Sequence, residues 1–374
     1  MDVVNTGRPG RRVRLTHHVL TLDDGHEVGV SVGGIGVPMV FLHGLGLNRR
    51  AYIRLLSRVA GLGFRVVAID APGHGDTRDL PAEADGFTER TALVMRTMDA
   101  LGIEKAVLAG HSMGGRMAIH LAAVAPDRVL AAILVDAAAG SSFDATISTV
   151  TRSPKQMLLS VLGAIYDLHK DPFHMQIGAL NRYLRMVAAV AMGKSLASNG
   201  FTGAARAIMQ SGASAALLTT MRENRVPTIV LHGECDAIVP FDNACDVADV
   251  ADATLYRIRG ACHSWLIGNP RYGADSIRQL LHGELGDVLR DAAADLDIDD
   301  WRDAEAWDRA LVSTDAHVRE LAGTGVVIGS DSRERVDMDL VRRPIESPAA
   351  ESSSMLARAS RVLSTPVGPK ARTA

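Results

Sequence analysis

Cysteine is scarce in this chain. Its 374 residues hold three, Cys235, Cys245 and Cys262, too few and too odd in number for a disulfide framework. Reduced thiols in a reducing compartment are therefore expected. Aromatic residues make up 4%, so Ala, Val and Leu must fill the interior. An excess of one charge is also missing. Forty Lys and Arg face 43 Asp and Glu, a formal net charge of −3, which gives no basic stripe for a nucleic acid. No run approaches the roughly 18 apolar residues of a membrane helix. The basic residues of the first 18 positions are not followed by an apolar stretch either, so a secretory signal is not expected and the cytoplasm is the expected compartment. The 35 glycines follow no three-residue period, which excludes a collagen-like chain.

What is present suits a globular protein with a sizeable core, at 47% hydrophobic residues. Residues 12–32 read as two strands joined across Asp24-Gly25, a hairpin dipeptide. Continuous apolar runs at 37–44, 64–70, 105–112 and 128–136 have the look of buried strands, and helical patterns separate them. That alternation predicts an α/β fold with a mostly parallel central sheet, helices on both faces and the antiparallel hairpin at its edge. After the sixth strand the rhythm breaks. Residues 140–222 show only helical stretches, which predicts a helical cap over the strand ends, and strand–helix alternation resumes at 226. The expected division is a core at 12–139 and 223–285, a cap at 140–222, an acidic, partly helical extension at 286–342 and a disordered tail at 343–374. Within the extension, Trp307, Ala310, Leu311, Val318 and Leu321 mark one amphipathic helix over 303–322.

The sharpest chemical signal is Gly110-His111-Ser112-Met113-Gly114-Gly115, between an apolar run and an Ala-rich helical stretch. This is the context that G-x-S-x-G requires, a strand turning sharply into a helix with small residues either side of an exposed serine. The Met113 N–H at the helix start faces the place of a developing oxyanion, where the helix dipole adds positive potential. A second amide is expected from the loop His43-Gly44-Leu45-Gly46, with Leu45 N–H the donor. In Asp70-Ala-Pro-Gly-His74-Gly, a tight turn with Asp70 and His74 as structural groups is expected.

A serine hydroxyl needs a base, and the base an acid to orient it. In chain order the acid should precede the histidine. Asp236, in His232-Gly-Glu-Cys-Asp236, and His263, in Cys262-His263-Ser264-Trp265, each follow a predicted strand on the same sheet edge as Ser112. Asp136 closes another strand and competes for the acid role. Trp265 is a candidate lining residue for the acyl pocket. Asp167, His169, Asp171 and His174 have metal-ligand residue types but no standard zinc spacing, so no metal site is expected. Methionines at 157, 175, 186, 192, 209 and 221 offer a soft lining for a lid over an apolar substrate.

These motifs resemble the α/β-hydrolase fold superfamily in its esterase/lipase-like branch, over residues 13–285. The resemblance implies a Ser112–His263–Asp236 triad, an oxyanion hole from Leu45 and Met113, a helical cap and no cofactor. It implies cleavage of a small-molecule carboxylic ester with an apolar acyl group. C–C hydrolysis, cofactor-free peroxidation, acyl transfer and non-catalytic binding of an apolar ligand remain on the same scaffold. His111 and Ser264 stand where the C–C hydrolases usually carry asparagine and tryptophan, which counts against that chemistry. Beyond 285 the resemblance is silent, and the extension is read as an arm for a protein partner.

Overall fold

The computed structural model describes residues 10–81, 83, 86–150, 199–322 and 325–345. Among the described residues nine strands form one sheet, in the order β11 (Met338–Arg342), β9 (Thr254–Ile258), β8 (Thr228–Gly233), β7 (Val129–Val135), β6 (Ala106–His111), β4 (Val37–Leu42), β5 (Phe64–Ile69), β3 (Glu27–Gly33) and β2 (Thr16–Thr21). β4, β5, β6, β7, β8 and β9 run parallel. β2 and β3 make the expected antiparallel hairpin at one edge. The first predicted strand is broken at Arg14-Leu15. Its opening piece, β1 (Gly10–Val13), leaves the sheet and pairs with β10 (Val327–Asp331).

The parallel strands are continuous apolar runs because both of their faces are buried. Along β4, Met39 and Phe41 point into one hydrophobic cluster, with Tyr52 and Trp265, while Val40 and Leu42 point into the other, with Met113 and Met117. This period of two divides the helices. α1 (Ile53–Ala60) and the helices Pro270–Leu281, Glu284–Asp295 and Ala304–Leu311 cover the first face; α2 (Phe87–Ala100), α3 (Met113–Val124) and Phe241–Ala251 cover the second. Every parallel strand ends at the same edge, so the loops after them share one rim. None of the described helices is long and apolar enough to cross a membrane, and no disulfide links the three cysteines.

The region beyond 285 corrects the expectation of a separate acidic extension. β11 (Met338–Arg342) joins the main sheet antiparallel to β9. The single helix predicted over 303–322 is two, Ala304–Leu311 and His317–Ala322, and their apolar sides are used within the chain. Trp307, Leu311 and Val318 are buried. The segment passes beneath the starting ends of the parallel strands, with Val312 bridged to Ile103 and Ala304 against Gly36. A buried ion cluster fixes it there: Asp308 binds both Arg65, on β5, and Arg319. Of the cap, the structure describes Ser141–Val150, Asn199–Gln210 and Ala215–Glu223; the Asp167–His174 cluster, four of the six methionines and the tail beyond 345 lie outside the described residues.

Candidate active site

Ser112 sits where β6 turns into α3. Its backbone has φ 55 and ψ −116, a conformation costly for a residue with a Cβ. Small neighbours allow that turn: a Cβ on Gly110 would lie 2.2 Å from the Gly114 carbonyl oxygen, and one on Gly114 would lie 2.1 Å from that of Leu42. The turn is clamped by Ser112 N–H donating to Val135 O at 3.0 Å and Ser112 O accepting from Ala138 N–H at 3.0 Å. The serine is half-buried at the strand-end rim.

His263 and Asp236 meet at the same rim. Asp236 Oδ2 lies 2.7 Å from His263 Nδ1, while Asp236 Oδ1 accepts from the amides of Ile238 and Val239 at 2.9 and 2.8 Å. A carboxylate only accepts, so Nδ1 carries the proton and Nε2 keeps its lone pair. Burial pushes the Asp236 pKa up, but the His263 charge and hydrogen bond, with His232 and the Val239 amide, outweigh it and leave the group below its ordinary value. Asp136 goes the other way. Burial and the nearby Asp236 charge drive it well above the carboxylate range. Its two oxygens are already committed, Oδ1 to Gly233 N–H and Oδ2 to Trp265 Nε1–H, both at 2.7 Å.

Trp265 therefore differs from its expected place in the acyl pocket. Its indole is buried in the core, with its polar atom on Asp136 and its ring edge-on to Tyr272 at 6.0 Å. Asp136, His232 and Asp236 could geometrically bring three ligand atoms within 4.8 Å. Each of the three side chains is spent on protein hydrogen bonds, His232 Nε2 on Val239 O at 2.7 Å, so the cluster reads as a buried polar network.

The loop after β4 stands over Ser112: a Cβ on Gly44 would lie 3.4 Å from that of Ser112. Of the amides from 44 to 47, Gly44 donates to Tyr52 Oη, Gly46 to His74 Nε2 and Leu47 to Gly44 O. The amides of Leu45 and Met113 have no acceptor among the described residues. His43 and His74 hold this loop as neutral rings, with burial lowering them to about 4 and about 3. Beneath them Asp70 binds Arg49 and the Arg49 amide, as the structural role expected of this turn requires.

Tyr52 is the residue that sequence reasoning missed. It lies in a helical stretch whose pattern shows only packing. In the fold, Tyr52 Oη accepts from Gly44 N–H and donates to His111 Nδ1 at 2.7 Å, while His111 Nε2–H donates to His263 O at 2.8 Å. One chain of hydrogen bonds thus joins the Leu45 loop, the residue before Ser112 and the backbone of His263. Arg116, one turn after Ser112 on α3, was missed as well. It binds Asp144 at 2.7 Å and Ser211 Oγ at 2.9 Å, tying together the segments that enter and leave the cap.

A strained serine between strand and helix, with a histidine–aspartate pair on neighbouring strand-end loops, defines a class of α/β enzyme scaffold. Residues 37–270 match the model of the alpha/beta hydrolase fold family, and the chain belongs to that family. It is 37% identical over 271 residues to a Mycobacterium phage D29 protein named "Putative non-heme haloperoxidase", covering 70% of this chain and 94% of the relative. It is 29% identical to the non-heme chloroperoxidase of Streptomyces lividans, over 63% of this chain and 88% of that protein. Among solved structures, a thermophilic esterase from Thermogutta terrifontis superposes with a TM-score of 0.56 at 22% identity, covering 71% of this chain and 98% of that one.

Proposed function

We propose that the protein hydrolyses carboxylic esters through an acyl-serine intermediate, with Ser112, His263 and Asp236 as the triad. The observation that carries this is the 2.7 Å His263–Asp236 pair on the rim that presents Ser112, with the Leu45 and Met113 amides, which have no acceptor among the described residues, beside it. His263 Nε2 takes the Ser112 proton as Oγ attacks the ester carbonyl. The Asp236 carboxylate holds the ring and offsets the imidazolium charge. The oxyanion rests on the amides of Leu45 and Met113. His263 then gives its proton to the departing alkoxide, and water repeats the sequence on the acyl-enzyme. These steps use only side chains, backbone amides and water.

The decisive experiment is hydrolysis of p-nitrophenyl esters from acetate to palmitate by the wild type and Ser112→Ala. Turnover that disappears with the serine supports the reading; full activity in the variant refutes it. The relatives named as haloperoxidases favour a second reading on the same residues. Hydrogen peroxide in place of water would leave with the acyl group as a peroxy acid. Bromination of a phenol by the protein with acetate, peroxide and bromide, lost in Ser112→Ala, would favour that chemistry.

A further inference from the structure

Beneath the sheet, at the end opposite Ser112, the wrapped C-terminal region leaves a cleft of about 260 Å³. That is just below the range of about 300–1,000 Å³ usual for small-molecule sites. Its floor is apolar, built from the starts of β4 and β5 at Val37 and Phe64 and from Trp301 and Trp307. Its rim carries Arg278, Arg302 and Arg333 with His282, and among the described residues no Asp or Glu lines it. In a chain with net charge −3, and beside a strongly acidic stretch, that one-sided rim is unexpected.

The arginines are unequal. Arg278 is paired with Asp275 at 2.7 Å. Arg302 and Arg333 have no ion-pair partner among the described residues; Arg302 lies over the Trp301 ring at 4.5 Å, and the Nε of Arg333 is buried without a hydrogen-bond partner. The three arginines line one cleft with His282; burial lowers the His282 pKa, and the charges of Arg278, Arg333 and Arg302 lower it further. Two unpaired planar cations above an aromatic floor match a planar anion on an apolar body.

We infer that this cleft is a second ligand site, for a small carboxylate, sulfonate or phosphate carrying an aromatic or short acyl body. Roughly 17 Å of parallel strand separates it from the Ser112 rim, and it does not depend on the reaction assigned there. Two of the three tryptophans lie in the cleft, so binding has a built-in optical readout.

The full chain would be titrated with 4-phenylbutyrate and with the neutral 4-phenylbutan-1-ol, following tryptophan fluorescence and calorimetry. The expected result is saturable binding of the acid, with the alcohol at least tenfold weaker. An Arg302→Gln/Arg333→Gln variant, shown folded by circular dichroism, should bind the acid at least tenfold more weakly. Trp301→Phe, which keeps an aromatic floor, should lose part of the fluorescence change and keep the calorimetric signal. Equal affinity for acid and alcohol, undiminished binding in the double variant, or no saturable binding would overturn the inference. Sedimentation with anionic vesicles without binding of the soluble acid would also overturn it, by making the arginines a lipid-surface contact.

Discussion

Asp136 and Asp236 follow neighbouring parallel strands, yet their environments drive their ionisation in opposite directions. Asp236 is held as a carboxylate by His263, whereas Asp136 is raised by its burial and by the charge of Asp236 itself. Two groups alike in residue type and strand position thus divide into a charged partner for the histidine and a buried brace between Gly233 and Trp265.

That division is testable by paired substitutions. Asp236→Asn should lower kcat for an ester about 10⁴-fold, because an amide no longer holds the working histidine tautomer. Asp136→Asn should leave kcat within about tenfold. Its amide group cannot accept from both N–H donors, so stability should fall by about 1–3 kcal/mol. Kinetics and urea unfolding of both variants separate the two roles; a collapse of kcat in Asp136→Asn alone would exchange them.

Acid should destabilise the fold through its buried histidines. Burial lowers His43 to about 4 and both His74 and His111 to about 3, against about 6.5 in the unfolded chain. Below pH of about 6.5 the unfolded state takes up protons that the folded state refuses, so stability falls with pH. At pH 5 the cost is about 2 kcal/mol for each ring. Asp136, whose raised pKa makes the folded state the better proton binder, acts with the opposite sign and offsets part of this. The urea midpoint should drop clearly from pH 7 to pH 5; a level midpoint would contradict neutral buried rings.

Tyr52→Phe should act on kcat. Removing the hydroxyl strips Gly44 N–H of its acceptor and His111 Nδ1 of its donor, loosening two loops that meet over Ser112. A loss of roughly tenfold in kcat with KM nearly unchanged is expected, since a displacement of about 1 Å at a catalytic group can cost about a hundredfold. A pure KM effect would instead give the residue a role in substrate contact.

The region after 285 should prove indispensable to the fold. Asp308→Ala leaves the buried Arg65, and the half-buried Arg319, without their shared anion, a loss of about 3–5 kcal/mol. Deleting 286–374 uncovers the core around Phe64 and Val37 and should yield insoluble protein. A soluble deletion variant with the melting behaviour of the full chain would restore the picture of a detachable arm.

The strand-to-helix turn at Ser112 was legible in the sequence because all its requirements are local: two flanking glycines, an apolar run before and a helix after. The mostly parallel sheet followed from alternation, and the strand-end placing of Asp236 and His263 from the apolar runs before them; the strand order did not. The commitment of Asp136 to Trp265 was not legible, since it joins residues 129 positions apart. Neither was Tyr52, whose two partners, Gly44 and His111, lie 8 and 59 positions away on the ends of different strands. β10 and β11 were hidden for a different reason. They are five residues each and half-exposed, with no sustained apolar run, and become strands only through the partners that β1 and β9 supply.

The pairing of β1 with β10 sets an order of events during synthesis. β1 finds its partner only after more than three hundred further residues have been made. Such distant pairings are slow to close. The nascent chain can assemble its parallel strands in sequence, but its underside must stay unfinished until β10 has been made. Ribosome-bound chains ending before residue 327 should therefore expose residues 10–13 to protease, and chains extended past 342 should protect them.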